Sequence, residues 1–403
     1  MLKTGQSVVE ALILLAFLQG ADQAVTNSSF AVAAGLACLG QDAGVDLRGG
    51  LKINLPKDSP LAVASLDLGP SKATARGGAV MLDLHASLRL RNLSGKRVKG
   101  VTLLVLAQDV SAGGKGSVAA PSLDVAPGED FPVRIDLRMV RPVSNGAEPL
   151  VQVLLDGVLF DDLSFFGENR LNSRCQLTVW ELEARRDRKH FQQLLEARGS
   201  ETLQKEMMAA ISRQDLRPRV DVQVVRRGAM PRGANAPATN YEMDREVQFS
   251  FLRMPGAPVE LMAGAARISG DEAKAPHLEI RNKELKAIRH LEIGLALKDT
   301  NGQEFFAATV PYDELLAGKG AAARRDSATL RVRHTGGSRL VLEGMAGFVN
   351  NVEFADGGYW IPSRADLADG RLGQLVPPSP EEQRLVQLYR RKRLQALVEE
   401  LRK

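Results

Sequence analysis

The chain has 403 residues, room for two or three domains at roughly 150 residues each, and its 44% hydrophobic and 25% charged content is the balance of a folded globular protein. Aromatics at 5% and a net charge of +5, with arginine spread along the whole length, argue against base-stacking platforms and localised basic stripes, so no nucleic-acid partner is expected. Cys38 and Cys175 are the two cysteines and form no CxxC, which excludes a zinc ribbon, a thioredoxin-like pair and a disulfide framework.

Residues 1–48 form a hydrophobic, helical N-terminal segment. The apolar run Val8 to Leu18 would span about 16 Å as a helix, short of a bilayer core but the length of a signal-peptide core, with Ala21 and Ala24 following. Gly5-Gln6-Ser7-Val8-Val9-Glu10 resembles the processing site of type IV prepilins and their TadE-like relatives, in which a glycine precedes the cut and a glutamate stands fifth in the mature chain. Gly35-Leu36-Ala37-Cys38 resembles a lipobox with leucine one place too close to the cysteine. Two readings stand for the segment: an export signal, or two short helices packed at the edge of the first domain.

Residues 49–172 read as a first β-domain. Val80 to Leu90 alternates apolar and polar, as a half-buried strand does, whereas Val101 to Ala107 is continuously apolar, as for a strand buried on both faces. Asn92 to Lys96 and Ala126 to Glu129 are turns; Phe131 to Leu137, Leu150 to Leu155 and Val158 to Phe166 are further strands. Residues 173–216 switch to helical spacing: Trp180, Ala184, Phe191, Leu194 and Leu195, a stop at Gly199, then Ser200 capping a second helix with Leu203, Met207, Met208 and Ile211. The methionine pair is read as core filler.

Residues 217–365 read as a second β-domain, with strands at 219–225, 247–252, 259–268, 277–281 and 290–297, a loop over 227–240, and an Asn301-Gly302 hairpin expected to take positive φ at both residues. Residues 366–379 are a linker. Ser379-Pro380-Glu381-Glu382 opens a basic amphipathic helix over 380–403. Its apolar stripe and basic cluster, Leu385, Leu388, Tyr389, Arg390, Arg391, Lys392 and Arg393, are the candidate interaction residues. Such a helix docks on its own domain, on a partner, or on an anionic membrane surface, so membrane contact through the termini is an expectation.

The two β-domains are copies. Leu88 to Asp109 returns as Leu278 to Asp299 with no gap at an offset of 190, keeping Leu88, Arg91, Asn92, Lys96 and Asp109 as Leu278, Arg281, Asn282, Lys286 and Asp299. Further on, Gly128 aligns with Gly318, and Gly157-Val158-Leu159 with Gly347-Phe348-Val349. The fold class expected is mainly β: two antiparallel immunoglobulin- or fibronectin-like sandwiches joined by a helical connector, with N- and C-terminal helices.

No pattern carries chemistry. His85, His190, His277, His290 and His334 lack ligand spacing and read as surface or strand residues; Gly113 to Ser117 lacks P-loop spacing; Asp161 and Asp162, set in the last strand opposite Asn350 and Asn351, lack the further oxygens calcium needs. The sequons at Asn27 and Asn92 are short chance matches. No catalytic, cofactor-binding or metal residues are assigned, and no cofactor is expected.

Leu278 to Asn282, Ile288 to Leu297, Asp299 to Gly302 and Leu315 to Gly318 together resemble the FxLYD-type and related fibronectin-like sandwiches of bacterial envelope proteins, over about forty residues in each copy. The resemblance implies an exported, non-catalytic domain. The functional expectation is therefore a two-domain envelope protein acting on an unidentified protein partner through strand edges or the C-terminal helix. A cytoplasmic adaptor using its terminal helices is the alternative, and a hydrolase, which would need converging carboxylates, the third.

Overall fold

The computed structural model describes residues 12–13, 43–44, 47–76, 78–107, 114–142, 149–218, 220–225, 244–325, 329–335 and 340–403. The Gly5–Glu10 and Cys38 motifs, Asn27, Asp109, Gly113 and the 227–240 loop lie outside them. The chain is mainly β and divides into two compact units, Met1–Glu181 and Leu182–Lys403. The division falls inside the helical connector Ser173–Asp215.

In the first unit, Ala79–Asn92 alternates buried and exposed along 14 residues. One edge pairs antiparallel with Asp130–Pro142 over its whole length; the other pairs with Lys72–Arg76 and then Leu61–Asp67. A second sheet sets Val98–Leu106 between Lys115–Ala120 and Val151–Phe160. Leu82, Leu84, Leu88 and Leu90 from one sheet meet Val101, Leu103, Val105 and Val153 from the other in one core, each such side chain contributing roughly 1.5–3 kcal/mol when fully buried. Val98–Leu106 is buried on both faces, as its apolar run predicts, because the connector's first turns cover the outer side: Leu177 packs on Gly100 with no room for a Cβ between them. The two strands expected around Gly157 are one, Val151–Phe160, with a bulge between Leu155 and Gly157.

In the second unit the same scheme runs as one continuous sheet, because Arg245–Phe251 changes partner midway. Its first residues pair antiparallel with Val259–Ser269, and Phe249 to Phe251 pair parallel with Met345 to Gly347 of Leu342–Phe354. The first unit has the same parallel contact, Leu51–Asn54 on Val151 to Leu154. The expectation of purely antiparallel sheets is corrected accordingly: among the described residues each unit contains one parallel pair, Leu51–Asn54 with Val151 to Leu154 and Phe249 to Phe251 with Met345 to Gly347.

The repeat extends to side chains. Asn92 is fully buried; its Nδ2 donates to the carbonyls of Lys96 (2.8 Å) and Val125 (3.2 Å), and its Oδ1 accepts from Ser94 N (2.9 Å). Asn282 Nδ2 donates to Lys286 O (2.8 Å) and Ala317 O (3.0 Å), and its Oδ1 accepts from Glu284 N (2.9 Å). Lys96 and Lys286 each lie 5.7 Å from a ring centroid, Phe160 and Phe354, and each pairs at 2.7 Å with an aspartate, Asp162 and Asp356. Two alignments are corrected here. Asp161 and Asp162 sit in the turn after the strand, so Asp162 corresponds to Asp356, while Asn350 and Asn351 lie within Leu342–Phe354. Gly128 (φ 79°) corresponds to Lys319 (φ 58°), since Glu129 O and Gly320 O accept the equivalent bonds from Asn92 N and Asn282 N. At the Asp299 hairpin only Gly302 takes positive φ (80°), and the Asp299 carboxylate accepts the N–H groups of Asn301 and Gln303, giving a three-residue loop instead of a two-residue one.

Candidate functional site

Helical spacing after residue 182 produces two helices broken at Gly199 (φ 77°, ψ 177°), where a residue without Cβ is needed. The C-terminal helix Pro380–Leu401 packs against them and is itself broken at Arg393 (φ 67°, ψ −172°). Phe191, Leu203, Met207 and Ala210 from the connector meet Leu385, Val386, Tyr389, Leu397 and Leu401 in a separate core. The candidate interaction residues divide across this helix. Leu385 and Tyr389 are buried and Leu388 is packed against the same core, whereas Arg390, Arg391, Lys392 and Arg393 face solvent, with Arg390 paired to Asp215 at 2.7 Å. Of the methionine pair, Met207 is core and Met208 is exposed.

The start of the C-terminal helix is built from buried charge. Ser379 Oγ accepts the N–H of Glu382 (3.0 Å), capping the helix, and donates to Asp187 Oδ2 (2.5 Å). Asp187, fully buried, also receives Arg186 Nε (2.7 Å) and is ion-paired with Arg364, whose Nε lies 2.9 Å away without hydrogen-bond geometry. Glu382 takes Arg364 Nη2 (2.7 Å), and fully buried Glu381 takes Arg188 Nε (2.7 Å) and Arg384 Nη2 (2.8 Å). Burial pushes the Glu381 carboxyl up, but the Arg384 and Arg188 guanidiniums outweigh it and hold it below the usual range. Glu183, one turn before Asp187 and half-buried, is pushed up to about 7 by desolvation, with the nearby Asp187 and Glu292 carboxylates also opposing its ionisation.

Beside this network lies a cavity of about 260 Å³ whose walls include Arg186, His190, Arg213, Gln214, Arg217 and Arg364. Sequence reasoning missed it, placing His190 among dispersed surface histidines. The available signal was partial: Arg186 and His190 share one helical face, and Arg213 stands on the second helix with Arg217 just past its end. Burial holds the His190 imidazole below its ordinary pKa, assisted by Arg364. Of the other histidines, His85 Nδ1 lies 2.8 Å from Asp136 and His290 Nδ1 lies 2.6 Å from Asp313; neither borders this cavity. Among the described residues no three His, Cys, Asp or Glu side chains group as metal ligands, and no helix is long and apolar enough to cross a membrane.

A second feature is the outer edge of Asp130–Pro142, whose ladder among the described residues runs along Ala79–Asn92 alone. The parity of this ladder is set by two observations. Pro132 opposite Arg89 has no N–H to give, and His85 N, opposite Asp136, donates instead to Ser71 Oγ (2.7 Å). The residues at even positions therefore turn their main-chain groups outward, so Arg134, Asp136, Arg138 and Val140 present N–H groups between two edge prolines. In the second unit the corresponding position is taken by two strands, Ala321–Arg325 and Thr329–His334, and the latter carries Val220–Val225 on that edge, paired residue for residue from Val220–His334 to Val225–Thr329.

No family model matches the chain, and no curated protein matches it in sequence. Among solved structures it is similar to a vicilin from Capsicum annuum at 12% identity and TM-score 0.10, over 81% of this chain and 95% of that one. It is also similar to an oxalate decarboxylase from Lactobacillus farciminis at 9% identity and TM-score 0.07, over 78% and 91%.

Proposed function

We propose that this chain is a non-catalytic protein of two immunoglobulin- or fibronectin-like sandwich domains, working outside the cytoplasm by protein–protein contact, and that the contact is strand addition along Asp130–Pro142. The observation that carries the reading is the asymmetry between the copies: an edge covered along Thr329–His334 by Val220–Val225 in the second unit presents four outward N–H groups in the first, where no strand among the described residues covers it. An edge of this length invites pairing with another chain unless it is blocked, and the prolines at 132 and 142 confine pairing to the window between them. The burial of Leu385 and Tyr389 in the helical core favours the strand edge over the C-terminal helix as the means of contact, since a groove-binding helix must offer its apolar stripe.

A photo-crosslinkable residue at Val140, which is 45% exposed, is expected to give one discrete adduct in the source cells. Arg138→Pro, which removes an outward N–H that the ladder to Ala79–Asn92 does not use, is expected to abolish that adduct without unfolding the domain. An adduct that survives Arg138→Pro would reject the edge as the contact. Recovery of the full-length chain in the cytosolic fraction alone would reject an extracytoplasmic role.

A further inference from the structure

The cavity beside Ser379 carries a charge imbalance. Arg186 and Arg364 share Asp187, Arg364 reaches Glu382, and Arg213 reaches Glu206 at 3.1 Å and Glu382 at 3.8 Å. Each of these guanidiniums thus has a carboxylate. Arg217 has none: its Nη2 donates to the carbonyl of Val376, and its Nε is buried without an acceptor. Gln214 Nε2, in the last turn of the helix that Arg217 follows and lining the same cavity, is also buried without an acceptor. Buried donors left unmatched are costly, and an unmatched buried cation more so. The lining also includes the apolar Leu367, Val376 and Pro377.

We infer that this cavity is a binding site for a small organic monocarboxylate, whose oxygens take the Arg217 Nε and Gln214 Nε2 donors and whose short alkyl part lies on Leu367, Val376 and Pro377. One unpaired cation calls for one negative charge, and the carboxylate supplies two acceptors for two donors. The apolar part of the lining selects a tail that a bare inorganic oxyanion lacks. At about 260 Å³ the space is below the range typical of drug-sized ligands, which fits an acid of a few carbons. The site stands apart from the strand edge and holds whether or not that edge binds a partner.

The test is calorimetric titration of the full chain with butyrate, inorganic phosphate and butylamine at fixed pH and ionic strength. Butyrate is expected to bind saturably, butylamine to give no heat, and phosphate to bind at least about tenfold more weakly; losing one charge-assisted hydrogen bond weakens butyrate by a similar factor in Arg217→Gln. Gln214→Glu provides a variant that keeps side-chain length and gives Arg217 an internal carboxylate. It is expected to raise the unfolding temperature and abolish butyrate binding. Butyrate heat that is absent, or undiminished in Gln214→Glu, overturns the proposal, as does phosphate binding as tightly as butyrate.

Discussion

A single asparagine organises each copy. Asn92 and Asn282 tie the turn that follows them to the loop that returns beneath it, spending both amide hydrogens and the carbonyl oxygen on main-chain partners. The two turns differ at one position with a measurable consequence. Gly128 takes φ 79° without penalty, whereas Lys319 takes φ 58° with a Cβ in place, and left-handed backbone costs an L-residue roughly 1–2 kcal/mol. Lys319→Gly relieves that strain and gives back part of the gain by loosening the unfolded chain. A net stabilisation of about 0.5–1 kcal/mol is expected, read as a higher denaturant midpoint with an unchanged slope. No gain, or a loss, would show that the lysine's contact with the Lys283 carbonyl outweighs the strain.

At the scale of elements, strands whose faces differ were plain in the sequence. Ala79–Asn92 and Val259–Ser269 show the two-residue alternation because one face meets the core and the other water. Leu61–Asp67 has a single buried residue and Ala321–Arg325 is small and charged, so neither carries a period, and their pairing is imposed by neighbours distant in the chain. The helices were legible for a similar reason: Ser379 and Gly199 are punctuation that acts locally. The break at Arg393 was not, since it falls amid good helix formers. Its dihedrals belong to a region that glycine occupies and other residues enter at a cost of order 1–3 kcal/mol. Arg393→Gly is expected to stabilise the helical core by about 1 kcal/mol, with helix content by circular dichroism unchanged. A rise in helix content together with a loss of stability would contradict a built-in break. The cavity was legible only in part, as the arginines and histidine of the connector, because its lining joins residues 186 to 217 with 364 to 382 and only packing brings them together.

For the whole molecule, buried charge makes stability depend on pH. Glu183 ionises in the folded chain at about 7, against 4.5 ordinarily, so the folded state holds a proton that the unfolded chain gives up. Its contribution is complete below pH 4.5 and is lost as pH rises to about 7. A shift of that size corresponds to roughly 3 kcal/mol. His190, whose folded pKa is lowered, acts in the opposite sense, losing stability as pH falls below its ordinary value of 6.5. Glu381, also lowered, matters only below pH 4.5. Glu183→Gln is therefore expected to rise more steeply in stability than the parent between pH 4.5 and 7, its curve crossing that span without the parent's decline. Parallel urea-midpoint curves for the two proteins would refute the assignment.

The parallel direction of Leu51–Asn54 on Val151 to Leu154 and of Phe249 to Phe251 on Met345 to Gly347 has a mechanical corollary. Tension applied where the chain enters the earlier strand of a pair and where it leaves the later one loads those main-chain bonds in shear, so several must rupture together instead of peeling one by one. Held at those two points in an optical trap, each domain should resist up to a sharp breaking force.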